Sequence, residues 1–462
     1  MDAIRQVYND HPTTALFTIA ATLRILLALT FPGLPDLLTG RVEISTPVNS
    51  FKRYCAVQEG LFLYERGLDP YDGGIFHQAP LFLPLFSLLP SPATALGRII
   101  SIALYTALDI LSADCLFDIA QSGAAAASLL YTSPRRARAW RPASVAAVYL
   151  FNPYTFLACL GRPTTAFASF FTLLSIKHAC QAKITTAAFA LAIASYISLS
   201  PILLLPPVAL LCYDQLCVQL AGNATKTDSG VSATPSAKTL KITHKPELLP
   251  SMLPFAAIFI ATFAASTAFL LTLSRTLLPS WSFLESVYMT PLTLPDLTPN
   301  PGLWWYFFIE MFDAFREFFL GVFWLHMLSY SIPFCLRFRN QPLAAVVLMM
   351  GINSILQPYA NAGDVGTWLS SLCLLGHVFD LCSTHRYTFP ALAALLYASL
   401  LGPAFHHLWI YAGSGNANFF YAITLVWSLA LLILLTDTLY AVLRDEWEME
   451  RPEGKGKEIR QI

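Results

Sequence analysis

Twelve stretches of this sequence are apolar over nearly the length that a lipid bilayer demands, and that pattern leaves few architectures open. A membrane span needs roughly 20 apolar residues. Runs near that length lie at about 13–31, 98–120, 142–160, 163–180, 184–199, 201–217, 250–274, 318–336, 342–357, 365–382, 387–410 and 418–443. Several are short or open on proline, so the count of about twelve has a margin of about two. Composition agrees. Of the 462 residues, 56% are hydrophobic and 12% charged, about half the charged share of a soluble domain. The expectation is an all-α polytopic membrane protein with about 12 transmembrane helices.

Charge orients the spans. The 28 Lys and Arg cancel the 28 Asp and Glu, so nucleic acid has no electrostatic attraction to this chain. A cytosolic N-terminus places about 19 of the 28 basic residues on the cytosolic side, among them Arg135, Arg136, Arg138, Arg141, Arg337, Arg339 and Arg386, as the positive-inside rule requires. Both termini are then cytosolic. The plan is one multi-pass domain over 1–443, with non-cytosolic segments at 32–97 and 275–317, a flexible cytosolic loop at 218–249 and a cytosolic tail at 444–462. The Asn223-Ala224-Thr225 sequon falls in that loop and is expected to be silent. Arg24 interrupts the first run, and no small-residue cleavage site follows it, which reads as a retained span rather than a cleaved signal. The nine scattered cysteines form no C-x-x-C pair, so neither a disulfide framework nor a zinc site is implied.

Both non-cytosolic segments carry material for the membrane surface. Pro80-Leu81-Phe82-Leu83-Pro84-Leu85-Phe86 is too short and proline-broken to span, and reads as interfacial or re-entrant. Leu303, Trp304, Phe307, Phe308, Met311, Phe312 and Phe315 recur with a helical period, opposite Glu310, Asp313, Arg316 and Glu317. A helix lying in the interface would keep those charges out of mid-bilayer and set Trp304 and Trp305 at headgroup depth. Asp296 or Asn300 would cap it.

Polar candidates gather on the same side. Between two spans, Leu408-Trp409-Ile410-Tyr411-Ala412-Gly413-Ser414-Gly415-Asn416-Ala417-Asn418-Phe419-Phe420-Tyr421 is a Gly/Ser/Asn turn in an aromatic collar. It is either an anchored hairpin or a turn that offers two amides and a hydroxyl outward. Asn361 and Asp364 sit in a short turn, where they either cap the next span or wall a headgroup site. Asp69 and Asp72 flank Pro70 and read first as a turn. Cys55 and His77 share one loop without a recognisable protease motif, and His406-His407 have no third metal ligand placed near them by sequence. No catalytic residue, metal site or cofactor is assigned.

Five landmarks carry a resemblance: Arg41-Val42-Glu43-Ile44-Ser45-Thr46-Pro47-Val48-Asn49-Ser50-Phe51-Lys52-Arg53; Asp69-Pro70-Tyr71 with Phe76-His77; Leu150-Phe151-Asn152-Pro153-Tyr154-Thr155; Pro295-Asp296-Leu297-Thr298-Pro299-Asn300 to Met311-Phe312; and the 408–425 segment. With these the chain resembles the U-subunit family of the glycosylphosphatidylinositol (GPI) transamidase, multi-pass proteins of the endoplasmic reticulum membrane. That family is similar to the lipid-linked-sugar-dependent mannosyltransferases, which implies a GT-C mannosyltransferase-like scaffold with interfacial helices on the luminal side. Those enzymes carry paired carboxylates in the first luminal loop. The corresponding stretch here reads Phe51-Lys52-Arg53-Tyr54, and bases in place of acids would remove general-base chemistry.

The resemblance implies a non-catalytic subunit that recognises and presents GPI. Its implied partners are the bilayer, the GPI lipid and the other transamidase subunits, among them a caspase-like cysteine protease. The expected lipid-contacting residues are Asn416, Asn418, Ser414, Asn361 and Asp364 for the polar head, Trp304, Trp305 and Phe308 for the lipid boundary, and Lys52 and Arg53 for phosphates. Two alternatives stay open: a mannosyltransferase using Asp69 and Asp72, and a multi-pass lipid transporter.

Overall fold

Each of the twelve apolar runs contains a helix in the computed structural model. The structure describes residues 12–34, 37–38, 55–72, 74, 76–90, 94–228, 250–382 and 387–457. The first half comprises α1 (Pro12–Thr30), α2 (Cys55–Glu65), α3 (Phe82–Ser87), α4 (Ala95–Ser122), α5 (Pro142–Phe151), α6 (Pro153–Gly161), α7 (Thr165–Cys180) and α8 (Ile184–Ile197). The second comprises α9 (Leu205–Asp228), α10 (Met252–Leu277), α11 (Trp304–Ile309), α12 (Asp313–Arg337), α13 (Pro342–Leu356), α14 (Ala362–Leu372), α15 (Thr388–Ile410) and α16 (Ala417–Glu450). Among the described residues the chain is all-helical, apart from one isolated bridge between Ala127 and Thr132.

Eight helices are long and apolar enough to cross a membrane, or nine if the bent pair α5–α6 counts as one span. That is fewer than the twelve expected, and the physical reason is length. The 16-residue α7, the 14-residue α8 and the 15-residue α13 are too short to cross the hydrocarbon alone. Burial accounts for α13. Every residue from Pro342 to Ile355 is buried, because α9, α12, α14 and α16 pack around it. A helix apolar on all sides is a core helix as readily as a lipid-facing one.

Local chemistry sets the ends. Thr94 caps α4, its hydroxyl accepting from Gly97 N at 3.0 Å, and Gly123 closes it in the left-handed conformation (φ 72°). Pro142, Pro153 and Pro342 open their helices at positions where no backbone N–H is needed. Arg24, the charge that interrupts the first apolar run, is 1% exposed and pairs with the buried Asp109 of α4 at 2.5 Å. It also donates to Leu150 O at 2.7 Å and lies over the Phe156 ring. A charge inside a span is tolerable when it is paired in this way.

Hydrogen bonds gather the connecting segments at two ends. At one, Ser282 Oγ donates to Asp69 at 2.7 Å, His77 Nδ1 meets Ser286 O at 2.9 Å, Tyr359 donates to Asp296 O at 3.0 Å and Tyr421 donates to Leu303 O at 3.1 Å. These link the segments that the sequence reading placed on one side of the membrane. At the other end Arg135 pairs with Asp445 (2.6 Å) and Glu448 (2.5 Å), while Arg337 pairs with Glu446 at 2.8 Å.

Several expectations change here. The interfacial helix over 303–317 is broken after Ile309. Trp304–Ile309 is its own short helix, and Asp313 instead begins the spanning helix α12, so Asp313, Arg316 and Glu317 occupy the first turns of a span. Asp296 and Asn300 do not cap α11; they close local turns by accepting from Thr298 N (2.8 Å) and Gly302 N (2.7 Å). The 80–86 stretch is the short helix α3, whose Phe82 and Phe86 rings pack on Phe167. α9 runs eleven residues into the loop expected from 218, and α16 runs on to Glu450, burying Arg444, Asp445, Glu446 and Glu448.

Candidate functional site

The Asn152-Pro153 pair builds one wall of the site. Pro153 lacks an N–H, so α5 cannot continue through it, and α6 leaves at a 56° bend. Asn152 repairs the break. Its Oδ1 accepts from Tyr154 N at 3.0 Å, and its Nδ2 donates to Gly366 O (3.1 Å) and Ser370 Oγ (3.0 Å) on α14. The bend places Tyr154 against Ser399 of α15, to which it is hydrogen-bonded, and Trp427 Nε1 of α16 donates to the Tyr154 hydroxyl at 3.2 Å.

Around this polar link lies an apolar groove of about 470 Å³, walled by α6, α15 and α16, within the ~300–1,000 Å³ range of small-molecule sites. Leu392, Leu396 and Leu400 line it and are 50%, 60% and 65% exposed, so it opens sideways, towards where lipid would be. From Leu392 to Pro403 it follows α15 for about 16 Å. Its far end is closed by Pro301, Ala362 and Phe420, at the end of the molecule that carries the 411–416 turn. Sequence reasoning missed this groove, although Leu150-Phe151-Asn152-Pro153-Tyr154-Thr155 was among the landmarks and Gly402-Pro403 interrupts a span.

The turn follows from its glycines. Gly413 takes a left-handed φ of 64° and ends α15, and Ser414 N and Gly415 N both donate to Leu408 O. A Cβ on Gly415 would lie 3.2 Å from Trp409 N, a tight approach that a side chain could make only if its neighbours shifted by a few tenths of an ångström. Ser414, Asn416 and Asn418 are exposed. Asn416 caps α16 by accepting from Phe419 N at 3.2 Å, and Asn418 accepts from the Tyr306 hydroxyl. The turn is thus a well-anchored hairpin that also offers its polar groups outward.

Trp304, Trp305 and Phe308 are only 1–2% exposed, so in this chain they are core and not lipid boundary. Trp305 stacks on Trp409 at 5.9 Å and packs on Phe420 and Tyr421, while Trp304 donates to Leu356 O at 2.7 Å. Ring–ring packing of this kind adds about 0.5–1.5 kcal/mol per pair to what the buried area itself contributes. Asn361 is buried as well, and Asp364 is half-buried. Asn361 caps α14, accepting from Asp364 N at 2.9 Å, and Asp364 accepts from Asn361 Nδ2 (2.7 Å), Gln357 Nε2 (2.9 Å) and Ser169 Oγ (3.0 Å). Buried polar groups must be satisfied, and these satisfy one another. Burial, then the neighbouring Asp296 carboxylate, pushes the Tyr359 phenol well above its ordinary range, which keeps it a donor to Asp296 O.

The remaining candidates do not converge. Lys52 and Arg53 lie outside the described residues. Asp69 is held by Ser282 while Asp72 is exposed. His406 packs on Phe420 and His407 on Tyr411, each against an aromatic ring. Cys55 opens α2, its side chain outside the described set, and His77 is engaged with Ser286. Among the described residues no three His, Cys, Asp or Glu side chains are placed to hold a metal ion.

Helix contact behind the groove is tight at Gly366, where a Cβ would come within 2.7 Å of Tyr154 Cβ and 2.9 Å of Thr155 N. Gly366→Ala must push α6 off α14. We expect a loss of about 1–3 kcal/mol in the unfolding free energy of the purified protein, together with a displaced Tyr154. An unchanged unfolding midpoint would show that this contact is looser than it stands here.

The family model for "GPI transamidase subunit PIG-U" matches residues 18–427. The chain belongs to the PIG-U family. The "GPI-anchor transamidase component PIGU" of Cricetulus griseus and that of Homo sapiens are each 33% identical to this chain over 450 residues, covering 94% of both sequences. The "GPI transamidase component GAB1" of Saccharomyces cerevisiae is 32% identical over 452 residues, covering 96% of this chain and 98% of its own. Among solved structures, an oligosaccharyltransferase of Archaeoglobus fulgidus aligns with 94% of this PIG-U chain and 56% of its own length. At 11% identity and a TM-score of 0.37, that likeness is too loose to assign a fold.

Proposed function

We propose that this PIG-U chain is the subunit of a GPI transamidase that recognises the GPI lipid and presents it for attachment to precursor proteins in the endoplasmic reticulum membrane. The groove between α6, α15 and α16 takes an acyl chain of GPI. The polar head lies over the 411–418 turn, against Ser414, Asn416 and Asn418, while Asn361 and Asp364 hold the adjoining wall from inside. Trp304, Trp305 and Phe308 hold the turn in place. The scaffold is of the mannosyltransferase-like GT-C type, with both termini in the cytosol and the groove's closed end towards the lumen. The chain is not itself catalytic, and the cysteine-protease chemistry belongs to another subunit.

The observation that carries this reading is a laterally open apolar groove whose end residue Phe420 lies four residues from Asn416, the exposed cap of the polar turn. A two-part amphiphile fits such a site without leaving the bilayer. Because the acyl chain passes from lipid to groove without meeting water, it is held by packing rather than by dehydration, and the turn adds discrimination for the head.

Cells depleted of this chain should accumulate complete, ethanolamine-bearing GPI and uncleaved precursors. A glycan lacking one mannose would make the chain a transferase instead. For the site, Asn416→Ala with Asn418→Ala should lower GPI attachment about tenfold, as two lost hydrogen bonds imply, with complex assembly intact. Asn416→Ser, which keeps the helix cap, serves as the folding control. Full attachment in the double variant would remove the turn from the site.

A further inference from the structure

We propose that α12 is a docking face for a transmembrane helix of another subunit, which meets His326 with a hydrogen-bonding side chain at mid-membrane. The inference rests on the reading above that this chain works within a complex.

His326 is exposed and lies nine residues from Glu317 and eleven from Arg337. At 1.5 Å per residue those two charges are about 30 Å apart, the thickness of the hydrocarbon core. His326 therefore sits about 14 Å from the nearer charge, close to the bilayer centre. An imidazole has two ring nitrogens to satisfy. Nε2 is 3.3 Å from the Tyr330 hydroxyl, while Nδ1 has no partner among the described residues. Hydrocarbon offers none, so an exposed imidazole at this depth calls for a protein neighbour.

The surrounding face has the shape to take one. Phe318, Val322, Leu325, Ser329, Ile332 and Leu336 are all exposed. Their spacing alternates four and three residues, the seam along which a second helix interlocks. Gly321 beside the seam has nothing within 4 Å of its would-be Cβ, leaving room for close approach. The opposite face, with Leu320, Met327 and Ser331, is buried on this chain's own core, so α12 is fixed in rotation with the seam outward. The occupant we assign is a membrane-spanning helix carrying a carboxylate, carboxamide or hydroxyl level with His326. A lipid chain would leave Nδ1 unpaired.

The test uses the intact complex in native membranes, with a photo-crosslinking residue at Leu325 or Ser329 and a control at Ile258, exposed on α10. The expected result is an adduct with a different membrane subunit from 325 and 329 only. His326→Leu should cut that adduct roughly three- to tenfold, the range an interhelical hydrogen bond supplies in a membrane, while His326→Asn retains it. Lipid adducts alone, an adduct of two copies of this chain, or equal adducts from His326→Leu and wild type would each overturn the proposal. If the wild-type chain co-purifies with no other membrane protein, the subunit reading itself fails, independently of this face.

Discussion

Ala398→Trp should abolish GPI attachment while leaving the complex assembled. Ala398 is 3% exposed and lines the groove midway along α15, between the lateral opening at Leu396 and the closed end at Gly402 and Pro403. An indole there occupies the space of several methylenes of a bound acyl chain. The acyl chain comes from lipid and not from water, so the loss is steric exclusion from the groove rather than lost dehydration, and attachment should fall with it. The measurement is the ratio of uncleaved precursor to GPI-linked product in cells carrying only the variant, alongside co-purification of the complex. Leu396→Ala, which trims the exposed lip without filling the groove, should stay near wild type. Normal attachment by an assembled Ala398→Trp complex would mean that the acyl chain lies elsewhere.

Arg24→Met should be the most destabilising single change in the membrane core. It strips the buried Asp109 of its cation and Leu150 O of a donor at 2.7 Å. Leaving one half of a buried ion pair costs about 3–5 kcal/mol, whereas replacing both partners with apolar side chains of similar volume is often neutral or better. The pattern expected in unfolding midpoints of the purified protein is therefore a large drop for Arg24→Met and substantial recovery in Arg24→Met/Asp109→Leu. If the double variant falls as far as the single one, the pair is doing something besides balancing charge. A polar role at the small buried cavity that Asp109 shares with Tyr105, Tyr149 and Thr155 would then be the place to look.

Hydropathy located the helices well because a bilayer enforces one rule along the whole chain, internal satisfaction of the backbone. It did not separate a spanning helix from a buried one. α13 reads as a span, yet it is a 15-residue helix sheathed on every side by protein. The aromatic run at 303–308 shows the same ambiguity. Its helical period is real, but a period says only that one face is apolar, not whether lipid or protein meets that face. Trp305 met Trp409, more than a hundred residues away, and the reading of an interfacial ring gave way to a core ring. Asn361 and Asp364 were legible as a polar pair beside a helix start, and that proximity is what lets them satisfy each other.

What this sequence determined by itself is an all-helical membrane protein with its helices in place, a glycine turn flanked by rings, and membership in a family. These properties depend on residues close together in the chain, where periodicity, capping and turn geometry act directly. Only the tertiary structure decided that a groove exists. Its walls come from residues 153–157, 392–403 and 420–427, and its shape depends on the 56° bend at Pro153 and the close contact at Gly366. A cavity is space left between side chains distant in sequence, and no local pattern records how closely those side chains come to rest.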